Sequence, residues 1–106
     1  MLPHVTHPTR LLRLLTGFLG KAREALEQAL PQAESGTLER ALVAQRLAYL
    51  AIAAQRNAAA IDWLREALAQ QQLDEAAALQ DRQNLARLLM QAQRYPEAVT
   101  ELESLP

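Results

Sequence analysis

With 106 residues, half of them apolar, the chain is long enough to bury one core, and a single domain is expected. Its formal charge is only −1, with eleven Lys and Arg interleaved among twelve Asp and Glu, so no field would gather along a nucleic-acid backbone and nucleic acid is excluded as a partner. The absence of cysteine removes disulfides, thiolate nucleophiles and Cys-based zinc sites together.

Residues 1–8 read as an irregular lead-in, because Pro3 and Pro8 oppose helix at and just before them. Thr9 is a candidate N-cap for a first helix carrying Leu11, Leu12, Leu14, Leu15, Phe18 and Leu19, which Gly17 and Gly20 bring to an end. A second helix runs from Lys21 to Leu30, with Ala22, Leu26 and Ala29 on one stripe; Pro31 stops it, and Gln32 to Gly36 form a loop in which Ala33 reads as surface. Thr37 caps a third helix, apolar at three- and four-residue steps to about Gln55, and Asn57 is the expected break. The fourth carries Ala60, Ile61, Leu64, Ala67 and Leu68, and the Gln70-Gln71-Gln72 run reads as its polar end. Asp74 caps a fifth helix through Leu89, and Pro96 opens a sixth that reaches Leu105. Alanine and leucine dominate while β-branched and aromatic residues are scarce, so the fold class is all-α.

These helices repeat at a spacing of thirty-eight residues. Leu12, Leu50 and Leu88 fall in one column, Ala22, Ala60 and Ala98 in another, Leu26, Leu64 and Leu102 in a third, and Ala54-Gln55-Arg56 recurs as Ala92-Gln93-Arg94. Such periodicity marks a stacked repeat, in which no unit buries its apolar face alone. The units are residues 9–30, 37–72 and 74–105, one repeat domain over 9–106, with Ala48, Ala60, Ala86 and Ala98 as points of close helix approach.

The pattern resembles the tetratricopeptide repeat. The third unit carries the resemblance best, through Leu85, Ala86, Leu89, Tyr95, Ala98 and Leu102, and the second through Leu47, Ala48, Ala51, Ala60, Leu64 and Ala67. The first matches in its second half, through Gly17, Leu19, Ala22, Leu26 and Ala29. The spacing exceeds the usual thirty-four by about one helical turn. With Glu39-Arg40-Ala41, Leu47-Ala48-Tyr49 and Asn84-Leu85-Ala86, this long unit is similar to bacterial repeat proteins associated with TonB-type systems. The resemblance implies a right-handed array of about three antiparallel helix pairs, an α-solenoid, in which the first helix of each pair lines a concave groove.

Transferred position by position, the resemblance puts Gln45, Arg46, Tyr49 and Ile52 in that groove from the second unit and Gln80, Gln83, Asn84, Arg87 and Gln91 from the third. These donors and acceptors suit the amides and carboxylates of an extended peptide. The implied function is therefore non-catalytic protein–protein interaction with a peptide or protein segment. The lysines of a carboxylate clamp are replaced by Gln45 and Gln83, which tells against that narrower role. Trp63 reads as half-buried packing, with anchoring of a second protein as the sharper alternative. His4 and His7 lack a third ligand, and Asp74, Glu75 and Asp81 read as helix-start charges, so neither metal, cofactor nor acid–base catalysis is expected. An enzyme or ligand-binding rival would need buried ionisable groups, which the apolar stripes do not contain. A structural spacer or adaptor fragment of a longer repeat protein, or a homodimer through exposed end helices, is the other rival. Neither a signal-peptide core nor a membrane span is present, so the chain as written is cytoplasmic without membrane insertion; a periplasmic location follows if a signal segment has been removed.

Overall fold

The computed structural model describes residues 8–106. Among them are five α-helices and no strand: α1 Pro8–Ala29, α2 Leu38–Ala53, α3 Asn57–Ala69, α4 Glu75–Gln91 and α5 Tyr95–Glu103, with a 3-10 turn at Leu30–Gln32. No helix among the described residues is long and apolar enough to cross a membrane. The all-helical expectation holds, but the first two expected helices are one. Thr9 lies inside α1 rather than capping it, and Gly17 and Gly20 do not interrupt it. A helical glycine costs about 1 kcal/mol relative to alanine, too little to break a helix whose apolar residues keep their three- and four-residue steps from Leu11 through Leu15, Phe18, Ala22 and Leu26 to Ala29. No proline stands between Pro8 and Pro31 to force the issue. One long helix and two helix pairs therefore replace the three expected pairs.

The α2/α3 and α4/α5 pairs turn in the same way, residue for residue. Arg56 N–H donates to Ala51 O at 2.8 Å and Arg94 N–H to Leu89 O at 2.9 Å, while Gln55 N–H reaches Ile52 O and Gln93 N–H reaches Met90 O, each at 3.0 Å. Paired six-to-one and five-to-two bonds of this kind make a Schellman ending, which needs a left-handed residue just past the helix. Gln55 (φ 58°) and Gln93 (φ 60°) supply it. The break expected at Asn57 thus falls two residues earlier, and Asn57 opens α3. Thr37 and Asp74 cap α2 and α4 as expected, accepting from Arg40 N–H at 3.2 Å and Ala77 N–H at 2.8 Å.

Each helix packs on its chain neighbours, α1 on α2, α2 on α3, α3 on α4 and α4 on α5. The core joins Ala48 and Ala51 of α2, Ala60, Ile61 and Leu64 of α3, Leu85, Leu88 and Leu89 of α4 and Ala98 of α5. Alanine at 48, 60 and 98 has no exposed surface, so backbones meet where the sequence places its smallest side chains. The described side chains of α1 contribute nothing fully buried. Leu64 is wholly buried under α4, whereas Leu102, thirty-eight residues on, is 49 % exposed because no element among the described residues packs over the outer side of α5.

Ala33 corrects another expectation, being 2 % exposed. The loop around it is built rather than loose. Arg40 reaches back to donate to Leu30 O (3.2 Å) and Ala33 O (3.1 Å) and forward to Glu66 Oε1 (2.9 Å). Gln70, in the run read as a polar helix end, is 6 % exposed; it donates to Glu66 O and accepts from the Gly36 N–H, tying this loop to the end of α3.

Candidate functional site

Asp81 is the centre of the site, and the sequence reading misplaced it as a helix-start charge. It lies in the second turn of α4 with no exposed surface, and its two carboxylate oxygens are divided between two donors from α2. Gln45 Nε2 donates to Oδ2 at 2.9 Å and the Tyr49 hydroxyl to Oδ1 at 2.7 Å. Residues four apart on a helix share a face, which is how α2 offers both donors to one acceptor. The buried ionisable group that the apolar stripes were expected to lack is therefore present.

Burial first, then the hydrogen bond to Asp81 and its charge, push the Tyr49 phenol up from 10.0 to about 12. It remains a donor throughout the neutral range. Gln45 and Tyr49 are consequently not free groove residues; they clamp α2 to α4.

The remaining predicted residues lie differently. Gln80, Gln83, Arg87 and Gln91 are exposed and Asn84 is half-buried, at spacings that set all five on one face of α4. Arg87 Nη2 donates to Asn84 Oδ1 at 3.2 Å, which steadies the guanidinium along the helix. Arg46 is exposed on α2, next to the clamp residue Gln45. Ile52 is half-buried and packs against the core instead of presenting itself to a ligand.

A second polar cluster, not anticipated, ties α3 to α5. Arg94 grips Glu97 with two bonds, Nε to Oε1 at 2.9 Å and Nη2 to Oε2 at 2.7 Å, and Arg65 of α3 donates to the same Oε2. Those bonds, Arg94 first, hold the Glu97 carboxyl down from 4.5 to about 2. The Arg94 guanidinium is correspondingly raised by its bond to Glu97.

Trp63 is half-buried, packs against the core, and forms one wall of a cavity of about 530 Å³ between α1 and the α2/α3 pair, opposite Leu15 and Leu19. His4 and His7 lie outside the described residues. Two signals in the sequence point to Asp81. It is four and seven residues before Leu85 and Leu88, on their stripe, and thirty-eight residues after Val43, which is also buried. Against this geometry, no protein-family model, no curated protein and no solved structure matches the chain.

Proposed function

We propose that the chain is a tetratricopeptide-like interaction module without chemistry of its own, which takes a peptide or protein segment along the polar face of α4. The observation that carries this reading is the uninterrupted row of Gln80, Gln83, Asn84, Arg87 and Gln91 on one side of a single rigid helix. Side-chain amides can donate to and accept from an extended backbone, and Arg87, pre-oriented by Asn84, adds a fork suited to a carboxylate. Arg46 supplies a second cation from α2. The repeat reading is supported by the matched columns and by the two turns with the same hydrogen bonds, one after α2 and one after α4. The Asp81 clamp belongs to this reading as scaffold, because it fixes α2 against α4 and with them the spacing of Arg46 and Arg87.

The test is a peptide array probed with the wild type and with an Arg46→Ala, Asn84→Ala, Arg87→Ala triple variant of equal helicity. Carboxylate-bearing peptides captured by the first and lost by the second support the groove. Identical capture by both overturns it. The uncovered side of α5, with Tyr95, Val99 and Leu102 each about half exposed, favours a second reading as a spacer or adaptor that meets another copy. Concentration-dependent light scattering separates the two.

A further inference from the structure

The interleaving of charge begins only at Glu24. Arg10, Arg13, Lys21 and Arg23 precede every one of the twelve carboxylates, which leaves the first part of α1 cationic and the rest of the chain net acidic. The same segment is apolar on one side, and most of that side is uncovered. Leu11 is 51 % exposed, Leu14 54 %, Leu15 49 % and Phe18 72 %, at the three- and four-residue steps of one helix face.

The reason is geometric. α1 turns only an edge of its apolar arc toward the body, where Leu15, Leu19, Gly20 and Arg23 line the cavity against α2 and α3. Leu11, Leu14 and Phe18 continue that arc away from the body, and the exposed cation Lys21, one heptad beyond Leu14, borders it, while the exposed Arg13 lies on the far side of the helix. The Pro8–Arg23 stretch, with leucine and phenylalanine on one side, a cation at the border of that side and no carboxylate, has the composition that settles into a bilayer interface.

We propose that this face of α1 docks on an anionic membrane surface, lying in the headgroup plane without crossing it. Charge complementarity favours lipid over a second copy. The carboxylates elsewhere are scattered, and several are already engaged: Glu97 by Arg94 and Arg65, Glu66 by Arg40, Asp81 by Gln45 and Tyr49. Beside the exposed apolar side of α5, another copy offers only Glu101 and Glu103, whereas a lipid surface offers a continuous layer of anions next to apolar chains. The acidity of the rest does not cancel the attraction, because the molecule is 57 Å long and exposed charges are screened beyond roughly 10 Å.

Co-sedimentation of the full chain with vesicles tests this, using phosphatidylcholine alone and phosphatidylcholine with about 30 % phosphatidylserine. Support requires binding to the anionic vesicles only, weakened by salt, reduced about fivefold by Lys21→Gln, and about tenfold or more by Phe18→Ser. These side chains are exposed, so circular dichroism should show the fold intact in every variant. The Arg46, Asn84, Arg87 triple variant should bind vesicles like the wild type, which separates failure here from failure of the groove reading. Absence of anionic-vesicle binding, equal binding to both vesicle types, or indifference to Phe18→Ser overturns the proposal. A soluble dimer that Phe18→Ser dissociates, with no vesicle binding, overturns it in favour of a second copy.

Discussion

Asp81 stands thirty-eight residues after the buried Val43, in a core position, and its burial is tolerable only because each oxygen has a donor. Asp81→Ala leaves the Gln45 amide and the Tyr49 hydroxyl without their acceptor and should cost about 1–3 kcal/mol in thermal or urea unfolding. Asp81→Asn should cost less, because the Gln45 amide can turn over to accept while Tyr49 keeps a carbonyl; it should also return the Tyr49 ionisation seen by ultraviolet titration toward 10.0. Two pH limits follow. The Tyr49 contribution is complete below pH 10.0 and disappears as the pH rises toward about 12, since the unfolded phenol ionises first. The Glu97 contribution is complete above pH 4.5 and disappears as the pH falls toward about 2, since the unfolded carboxylate takes up its proton first. Melting curves across both ranges check this, and Glu97→Gln should flatten the acid side alone. The polar face of α4 was legible in the sequence because helical spacing fixes which residues share a side. The role of Asp81 was hidden because residue type argued for solvent while position argued for the core, and in the structure position prevails.

Among the elements, the second and third units were legible and the first was not. Caps at Thr37 and Asp74 and alanines at the helix contacts are local signals that tertiary packing reinforces. For α1 the signals conflict: two glycines argue for a break, and an unbroken apolar period argues against one. An added Cβ at Gly17 or Gly20 meets nothing within 4 Å, so neither glycine is required by a close approach. Gly17→Ala and Gly20→Ala should each therefore stabilise α1 by about 0.5–1 kcal/mol and raise helicity by circular dichroism. A hairpin folded at these positions would respond in the opposite sense. The turns allow the complementary experiment. Gln55 and Gln93 occupy a left-handed conformation that costs a side-chain-bearing residue about 1 kcal/mol, so Gln93→Gly should raise the melting temperature by a few degrees.

At the scale of the whole molecule, α2 to α5 share one apolar core while α1 rests on α2 through its edge. Contacts run between helices that are neighbours in the chain, so stability is distributed unevenly along the molecule. The cavity between α1 and the α2/α3 pair marks the weakest of these contacts, and the sole tryptophan stands in its wall. Trp63 is thus a built-in fluorophore at the seam. Warming should redden its emission, as the first helix peels away and water reaches the indole, before ellipticity at 222 nm reports loss of the remaining helices. Coincident transitions from the two probes would instead make α1 part of a single cooperative unit.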